Sequence, residues 1–580
     1  MCTFRKQVIY QIYPRSFADS NGDGIGDLRG VISKLDYLAN LGVNILWLSP
    51  VFQSPNADNG YDISDYEAIM PEFGTMADFD ELLAEAHRRG LKIMLDLVVN
   101  HSSDEHRWFR ESRKSKDNPY RAYYIWREKP NNWQSFFSGP AWTFDETTGE
   151  YYLHLFAEKQ PDLNWENPEL RQEIYTMMRF WLDKDVDGFR MDVIPFLSKG
   201  FEFPDYPEGR YGDLTIHANG PRIHEFLQEM HREVLAHYSN RPGGPVITVG
   251  EGFGVSAEQA NLYVGRNRRE LDMIYHFDHA VPREEHRFLD PAPEFTLPEL
   301  KAIFANWNTA LDTGPNAPGW QNIYFGNHDN PRCLSRFGDP EKFHYESATM
   351  LATVLLTQRG TPSMYQGDEI GMTNCPFDSI DEYDDIQVKN AWNALLAPAS
   401  MPEQVIDRTQ ETTSIVRAGN GSLVPALMPE NLEQRFLQTA NRIARDHART
   451  PMQWSDAPNA GFTEGPRTWL KVNPNYRDIN VAKQKDEPNS VLNYYRNLLR
   501  FRQQTPVLHE GAYRDLLPDH PTIWAFERRL GNAVWVLLAN FSNQPVAVEV
   551  PVSGTVALSN YPNTPTADAL RPFEARIYYA

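Results

Sequence analysis

The sequence predicts an α/β fold: a TIM (β/α)8 barrel with an inserted subdomain after the third strand and a C-terminal all-β domain. Eight short apolar segments alternate with segments of helical periodicity, which is typical of a parallel sheet covered by helices. A stretch rich in tryptophan and phenylalanine interrupts this alternation after the third strand. From about residue 506 the pattern changes to short alternating strands, so a smaller second domain follows the barrel.

The predicted barrel strands share a short apolar core bounded by turn-forming residues. They are Val8–Tyr13, Asn44–Leu48, Lys92–Val98, Gly188–Val193, Val246–Gly250, Met273–Phe277, Asn322–Phe325 and Pro362–Tyr365. Amphipathic segments between them predict helices, among them Ala77–Arg89, Pro168–Asp183, Arg222–Tyr238 and Leu297–Leu311. The last barrel helix and two strands of the C-terminal domain are predicted at Asn489–Gln504, Thr522–Arg528 and Ala533–Asn540.

These elements predict the domain boundaries. Residues 1–101 and 168–505 are expected to form the barrel, and residues 102–167 a subdomain over its mouth. Residues 506–580 are expected to form an antiparallel β domain. An irregular subdomain is expected at about 367–466, where the pattern from Trp392 to Leu437 assigns no element.

The charge and cysteine content exclude several classes of function. A net charge of -22 argues against a nucleic-acid or anionic-membrane partner and is compatible with a neutral substrate such as a sugar. Three irregularly spaced cysteines predict neither a disulfide framework nor a zinc motif. No apolar run resembles a signal peptide or a membrane span, so we expect a soluble, cytoplasmic protein. Oligomeric state has no signal in the sequence, and we expect a monomer.

The end of the fourth predicted strand carries the first catalytic candidates. Arg190 and Asp192 lie two residues apart, so their side chains are expected to share one face of the strand. We expect the cation to keep Asp192 ionised, as the nucleophile of a retaining sugar-transferring enzyme requires. A structural ion pair is the alternative interpretation of the same two residues.

Other polar residues also lie at the carboxyl ends of predicted strands, where TIM barrels place their functional groups. Besides Arg190 and Asp192, they are Asp96, His101, Glu251, His328 and Asp329, with Asp58 and Tyr61 in the loop after the second strand. Carboxylates from several strands, two histidines and an arginine therefore converge on one mouth. For each histidine, a hydrogen-bonded core residue is the alternative.

Residues Asp19–Asp27 form a second candidate site. Oxygen-bearing side chains alternate there with glycines, which suits a hard cation such as Ca²⁺. The stretch begins like an EF-hand loop, but Gly30 stands where that loop requires glutamate. A metal-free turn is the alternative.

Several stretches resemble the α-amylase superfamily of retaining glycoside hydrolases. These are Asp96–His101, Gly188–Asp192, Val249–Glu251 and Asn327–Asp329. Further stretches resemble its branch of oligo-1,6-glucosidases, dextran glucosidases and sucrose isomerases, namely Val8–Phe17, Asn59–Tyr66 and Ala448–Trp454. The resemblance covers nearly the whole chain and weakens around Trp392–Leu437.

The resemblance implies that Asp192 is the nucleophile, Glu251 the general acid/base and Asp329 the stabiliser of the transition state. It implies that His101 and His328 hydrogen-bond the bound glucose. The remaining implied sugar-binding residues are Asp58, Tyr61, Phe156, Gln160, Arg190, Val193 and Arg445. Of these, Phe156 and Gln160 are expected at the entrance, where a packing role is the alternative.

Further implications concern the closed end of the pocket and the metal. Asp58 and Arg445 resemble the pair that holds the non-reducing end and makes an enzyme exo-acting, with Arg449 as the alternative to Arg445. The resemblance also implies a structural Ca²⁺ bound by Asp19, Asn21, Asp23, Asp27 and the carbonyl of Ile25.

The resemblance implies an exo-acting α-glucosidase that cleaves α-1,6 bonds in isomaltose and isomalto-oligosaccharides. Val193 accompanies this specificity in the branch, and Gln160–Asn164 matches its α-1,6 members. The alternatives are a sucrose isomerase or transglucosidase (isomaltulose or trehalulose synthase) and an α-1,4-glucosidase. A non-catalytic transporter heavy chain is disfavoured, because the sequence has no membrane span and retains all three carboxylates.

Two stretches depart from the branch patterns. Sucrose isomerases carry Arg-Leu-Asp-Arg-Asp after the sixth strand, whereas Phe277–Glu285 differs from it here and disfavours that reading. Against this, Asn374–Phe377 and Tyr383–Lys389 resemble the isomerases more. Glu251 is followed by Gly252-Phe253-Gly254 in place of the usual Met-Pro-Gly, which leaves the shape of the leaving-group side open.

Overall fold

The computed structural model describes residues 3–200, 202–206, 214–280, 288, 293–313, 316–396, 415–417, 423–425, 432–548, 554–562 and 568–579. Eight parallel strands form the barrel. In chain order they are Ile9–Ile12, Ile45–Leu48, Lys92–Leu97, Gly188–Met191, Ile247–Glu251, Met273–Tyr275, Asn322–Ile323 and Thr361–Tyr365. Strands that are consecutive in the chain pair with each other, and the eighth strand also pairs with the first. The sixth and seventh strands are joined only by a parallel bridge between Ile274 and Gln321 among the described residues. The predicted TIM barrel is confirmed.

Strand register places three of the candidate residues next to one another. Asp96 on the third strand pairs with Arg190 on the fourth. Arg190 in turn pairs with Val249 on the fifth strand, two residues before Glu251. Because alternate residues of a strand point to the same face, Glu251 is directed to the same side as the other two. On the sixth strand, Tyr275 pairs directly with Glu251.

Most of the barrel helices bury an apolar face, and His344–Thr357 is buried from Ser347 onward. The α-helices are Leu28–Ser33, Leu35–Leu41, Met76–Arg88, Arg107–Ser112, Pro168–Asp183, Leu214–His217, Ile223–Glu233, Ala257–Val264, Leu297–Thr313, Cys333–Phe337, His344–Thr357, Ile386–Leu396, Leu432–Ile443, Asp446–Arg449, Val481–Gln484, Val491–Gln504 and Pro506–Glu510. The predicted helix Pro168–Asp183 has its predicted bounds, since Asn167 caps its first turn and proline is tolerated there. Within the described residues, none of the helices combines the length and apolar content that crossing a bilayer requires.

The inserted segment after the third strand contains a small antiparallel sheet. Its strands are Trp126–Arg127, Trp142–Asp145 and Glu150–Leu153, with the last of them in the centre. The subdomain packs directly onto the barrel segment that follows the fourth strand. Trp133, which is fully buried, shares one apolar cluster with Val193 and Phe196. The aromatic richness of this insertion is therefore explained mainly by packing next to the active site.

The C-terminal domain is a five-stranded antiparallel sheet with a two-stranded sheet beside it. The strands of the larger sheet are Ala512–Asp515, Ile523–Leu530, Ala533–Asn540, Thr555–Ser559 and Ala575–Tyr579, and those of the smaller are Val546–Ala547 and Ala569–Leu570. Arg528 links this domain to the barrel by donating to the carbonyl of Thr357 at 2.8 Å. Much of Trp392–Leu437 and the residues Val281–Glu285 lie outside the described part of the chain.

Candidate active site

One guanidinium group organises the centre of the barrel mouth. Arg190 is buried, and its Nη1 lies 2.6 Å from Asp96 Oδ1 and 2.7 Å from Asp192 Oδ1. Its Nη2 lies 2.7 Å from Glu251 Oε2. The predicted sharing of one face by Arg190 and Asp192 is thus confirmed, and the same cation also contacts the carboxylate on the next strand.

Asp192 and Glu251 form a close carboxyl pair. Both lie 2.7 Å from nitrogen atoms of the same guanidinium. Inverting glycosidases need about 6.5–9.5 Å between their carboxyl groups to admit a water, whereas retaining enzymes need only about 5–5.5 Å. Two carboxyl groups bound to one guanidinium suit the shorter, retaining separation.

Burial raises the pKa of Asp192 and of Glu251, and for Asp192 the charge of Glu251 adds to the increase. The charge of Arg190 lowers the pKa of both groups, but this effect is smaller than the increase that burial causes. The predicted effect of Arg190, which favours the ionised form of Asp192, is therefore present, but burial outweighs it and the net pKa is raised. The raised pKa of both carboxyl groups suits a pair in which one member acts as an acid.

Two aromatic side chains that sequence reasoning missed orient the central arginine and its partner. The hydroxyl of Tyr275 accepts from Arg190 Nε at 2.9 Å and Nη2 at 2.7 Å. The indole of Trp47 donates to Asp96 Oδ2 at 2.9 Å, and the Tyr61 hydroxyl donates to the same oxygen at 3.1 Å. Tyr275 ends the sixth strand, so the rule that located the other candidates would also have located it.

A neutral histidine links the next group of candidates. Burial lowers the pKa of His328 to about 3, so the ring is uncharged near neutral pH. The amide of Gln11 donates from Nε2 to Nδ1 of His328 at 2.7 Å, so Nδ1 is the unprotonated ring nitrogen. The other ring nitrogen of His328, Nε2, therefore carries the proton and donates to Asp329 Oδ2 at 3.2 Å. The Tyr61 ring stacks on the imidazole at 5.2 Å with an interplanar angle of 6°. Tyr61 and His328 thus form one wall of the pocket.

Asp329 is held in the ionised form. Burial alone would raise its pKa, but His328, Arg445 and Arg449 together lower the pKa below the usual range for aspartate. Arg445 Nη1 and Arg449 Nη2 lie 3.2 and 3.0 Å from its Oδ1. Asp329 therefore carries a negative charge in the same barrel mouth as Asp192 and Glu251.

Arg445, and not its alternative Arg449, reaches Asp58. Arg445 Nη2 lies 3.4 Å from Asp58 Oδ1, whereas Arg449 Nε donates to the carbonyl of His328 at 3.0 Å. Arg445 Nη2 also lies 2.7 Å from Asp385 Oδ1, a fully buried carboxylate that sequence reasoning missed. No spacing in the sequence signals this partner, because Asp385 returns to the site from the irregular segment after the eighth strand.

The inserted subdomain contributes the opposite wall. Gln160 Nε2 lies 3.2 Å from both Asp58 Oδ2 and His101 Nε2. Gln160 is fully buried, so it lies deeper than the predicted entrance position. Phe156 packs on the His101 ring at 5.1 Å, and burial lowers the pKa of His101 to about 4, so this histidine is also neutral near pH 7.

Val193 has an unusual backbone for a β-branched residue. Its φ of 31° and ψ of 44° lie in the left-handed region, which costs free energy for valine. This conformation lets its N–H donate to Glu251 Oε2 at 2.8 Å. The side chain is 6% exposed and lies in the apolar cluster with Phe196 at the boundary between the barrel and the insertion.

Phe253 occupies the stretch that departs from the branch pattern. Its ring meets those of Phe136 at 5.5 Å, Phe196 at 5.9 Å and Phe277 at 5.2 Å. Phe253 thereby joins the insertion, the segment after the fourth strand and the end of the sixth strand. Phe253 lies two residues after Glu251, at the position where the branch typically has proline, and it belongs to this aromatic cluster.

A model of the α-amylase catalytic domain matches residues 11–511 of this chain. The chain belongs to the α-amylase family. Within that family it is 48% identical to the oligo-1,6-glucosidase of Parageobacillus thermoglucosidasius over 600 residues, which covers 99% of this chain and 98% of the relative. The oligo-1,6-glucosidase of Bacillus cereus is 47% identical and covers 99% of both chains. The chain is therefore an α-amylase-family glycoside hydrolase.

Solved structures of other α-amylase-family enzymes share the fold over the full chain. A trehalulose synthase variant has a TM-score of 0.88 at 42% identity and covers 100% of both chains. The isomaltulose synthase of Protaminobacter rubrum has a TM-score of 0.89 at 40% identity and covers 99% of both. The fold of this chain is thus shared with sucrose-converting enzymes, so the fold alone does not fix the reaction.

The Asp19–Asp27 loop of this α-amylase-family chain consists of successive side-chain-to-backbone turns. Asp19 accepts from the N–H groups of Asn21, Gly22 and Gly24 at 2.7–2.9 Å. Among the described residues, no salt bridge involves Asp19, Asp23 or Asp27, and no group of three or more histidine, cysteine or acidic side chains converges as a metal site. The oxygen-rich composition fits a hard cation, but part of the bonding capacity of these oxygens is already used by backbone groups.

Proposed function

We propose that this α-amylase-family protein is an exo-acting α-glucosidase that hydrolyses α-1,6 bonds at the non-reducing end of isomaltose and isomalto-oligosaccharides. One observation carries the proposal. Arg190 lies 2.7 Å from the carboxyl groups of both Asp192 and Glu251, and the Asp58–Arg445 ion pair lies in the same barrel mouth. Full-length relatives with 47–48% identity named oligo-1,6-glucosidases support this choice of substrate.

The proposed reaction proceeds in two displacements. Asp192 attacks C1 of the terminal glucose while the bond from C1 to the leaving oxygen breaks, and Glu251, as the acid, donates its proton to that oxygen. A glucosyl ester on Asp192 results. Water then attacks C1, Glu251 accepts its proton, and the carboxylate of Asp192 leaves. Two inversions at C1 retain the α configuration.

Other side chains bind the glucose and stabilise the charge that develops on it. Asp329 is ionised and is proposed to hydrogen-bond ring hydroxyls and to stabilise the positive charge near C1. Neutral His328 and His101 can each serve as a hydrogen-bond partner of a hydroxyl without adding a cation beside the oxocarbenium-like transition state. Tyr61 presents a ring on which the apolar face of glucose can stack.

The Asp58–Arg445 pair is proposed to limit cleavage to the chain end. Arg445 is fixed by three carboxylates, those of Asp58, Asp329 and Asp385. A side chain so constrained cannot move aside to let a longer chain pass, so only a terminal glucose enters. Carboxylate and guanidinium groups also suit hydrogen bonding to the hydroxyls of that terminal unit.

A substrate panel tests this function. Initial rates with isomaltose, maltose, sucrose and isomaltotriose are measured at equal concentration, and the products are separated chromatographically. We expect the highest kcat/KM on the α-1,6 substrates, with glucose released one unit at a time. Faster cleavage of maltose, or products cut from the interior of longer chains, would contradict the proposal.

A sucrose-converting transferase is the second candidate, because Phe253 and Phe277 form an aromatic pair beside Glu251. Such a pair can shield the glucosyl intermediate from water and hold a sugar acceptor in its place. Fully overlapping structures of trehalulose and isomaltulose synthases add to this alternative. Incubation with sucrose separates the two, since a transferase yields isomeric disaccharides and a hydrolase yields glucose and fructose.

Three further proposals accompany the function. The Asp19–Asp27 loop is proposed to bind one structural Ca²⁺ through the side-chain oxygens of Asp19, Asn21, Asp23 and Asp27 and the carbonyl of Ile25, because its acidic residues lack salt-bridge partners among the described residues. A monomeric state and a cytoplasmic location are proposed from the sequence. Light scattering and cell fractionation measure these two properties, and a dimer or a secreted enzyme would contradict them.

A further inference from the structure

We propose that Tyr275 is a positioning residue for the general acid and acts on Glu251 through Arg190, an inference that rests on the function proposed above. Tyr275 ends the sixth barrel strand and pairs directly with Glu251 on the fifth. Its side chain is buried, and its hydroxyl oxygen accepts from Nε of Arg190 at 2.9 Å and from Nη2 at 2.7 Å. Tyr275 therefore connects the strand next to the acid with the guanidinium beside it.

The guanidinium of Arg190 is anchored from two sides. On one side, Nη1 donates to Asp96 Oδ1 at 2.6 Å and to Asp192 Oδ1 at 2.7 Å. On the other side, the Tyr275 hydroxyl holds Nε and Nη2, and Nη2 also lies 2.7 Å from Glu251 Oε2. Without this hydroxyl, the two carboxylates would still hold Nη1, but Nη2 would lose the hydrogen bond that keeps it beside Glu251. The tyrosine thus fixes the distance between the cation and the acid.

The contacts of Glu251 indicate which of its oxygens carries the acid proton. Oε2 accepts from the N–H of Val193 at 2.8 Å and lies 2.7 Å from Arg190 Nη2. A hydrogen on that oxygen would face an N–H donor and a cation, so the proton resides on Oε1. Oε1 then gives its proton to the leaving oxygen, and Arg190 stabilises the carboxylate that remains.

The charges around Glu251 give the direction of the effect. Burial raises the pKa of Glu251, and the charge of Arg190 lowers it. If the guanidinium moves away, burial acts with less opposition, so the pKa rises further and Glu251 becomes a weaker acid. A weaker acid protonates a sugar oxygen more slowly. Other titratable groups that face Glu251 are Asp192, Asp329, Tyr275 and Tyr324.

Two leaving groups of different basicity test this role. Tyr275→Phe removes one oxygen and keeps the ring. Tyr324→Phe makes the same change in a buried tyrosine whose ring lies 5.3 Å from that of Tyr275 and whose hydroxyl donates to the carbonyl of His276. Values of kcat/KM are measured for the parent and both variants on isomaltose and on p-nitrophenyl α-glucoside. Nitrophenolate can leave without a proton, so only isomaltose requires the acid.

We expect Tyr275→Phe to lower kcat/KM by about 10-fold or more on isomaltose but by less than about 3-fold on the aryl glucoside. The alkaline limb of its pH profile on isomaltose should move to higher pH by about 0.5 unit or more, because this limb reports the acid. Tyr324→Phe should change neither property. Partial unfolding lowers both activities equally, so the ratio between the two substrates does not depend on stability.

Equal losses on both substrates, or an unmoved alkaline limb, would overturn this role for Tyr275. A parent enzyme that prefers maltose would contradict the proposed linkage, and maltose would then replace isomaltose as the substrate that requires the acid. A parent enzyme that cleaves neither disaccharide nor the aryl glucoside would contradict the proposed function itself.

Discussion

Replacing Val193 by alanine tests whether this residue selects the linkage. The substitution removes two methyl groups next to the pocket but retains the N–H that donates to Glu251 Oε2 at 2.8 Å. Any change in specificity therefore reports the wall and not the acid/base. An α-1,6 link contains an extra rotatable methylene that lets the leaving sugar turn away from the wall, whereas an α-1,4 link holds it close.

The expected size of the effect follows from the packing. A small apolar wall discriminates by about 1–3 kcal/mol, so the ratio of kcat/KM for isomaltose to that for maltose should fall about 10-fold or more in Val193→Ala. The side chain is 6% exposed, and losing two buried methyl groups should cost about 1.6 kcal/mol of stability, at about 0.8 kcal/mol per group. Substrate ratios are therefore compared at a temperature where both enzymes are fully folded.

A buried valine far from the site provides the matched control. Val491 begins the last barrel helix and is 3% exposed, so Val491→Ala should lose similar stability without changing the substrate ratio. Rates on isomaltose and maltose, measured for the three enzymes, complete the assay. An unchanged ratio in Val193→Ala, or a parent enzyme that prefers maltose or sucrose, would show that Val193 is not the determinant of linkage.

Three further predictions concern the nucleophile, acid stability and the metal loop. Asp192→Asn should lower kcat by more than about 100-fold with an unchanged circular dichroism spectrum, and smaller losses would refute its role as nucleophile. Burial lowers the pKa of His279 to about 3, against about 6.5 when unfolded, so the unfolded state binds more protons between these pH values. The free energy of unfolding should therefore fall as pH decreases below about 6.5, by up to about 1.4 kcal/mol per pH unit for this residue. Urea unfolding at several pH values should show a weaker pH dependence in His279→Phe, and an unchanged dependence would contradict this explanation. Elemental analysis of enzyme purified with calcium should find about one equivalent at Asp19–Asp27, and chelation should lower Tm; no calcium and an unmoved Tm would indicate a simple turn.

Much of the fold could be predicted because strand and helix periods are local properties. Short apolar runs predict the eight strands, and the amphipathic period predicts the helix Pro168–Asp183. The shared face of Arg190 and Asp192 follows from the two-residue period alone. The TIM barrel then places every strand end at one mouth, which is why residues far apart in the sequence could be assigned to one site.

What could not be predicted depends on how distant segments return to the site. Asp385 contacts Arg445 from an irregular segment whose path no periodicity describes. Choosing Arg445 over Arg449 required knowing which side chain reaches Asp58. The sequence reveals the cation beside Asp192 but not the depth of burial, which raises the net pKa of this carboxyl despite Arg190.

The configuration of the first product tests the central claim most directly. A proton NMR time course of isomaltose hydrolysis, recorded before mutarotation, identifies the anomer of the glucose released from the non-reducing end. The reducing-end half of isomaltose is released as an equilibrium mixture of anomers, so only a departure from that mixture reports the mechanism. Because Asp192 and Glu251 both contact one guanidinium, the account predicts that the glucose formed first is enriched in the α anomer relative to the equilibrium mixture. Initial enrichment in the β anomer would contradict the double displacement, and no release from isomaltose would contradict the α-1,6 function.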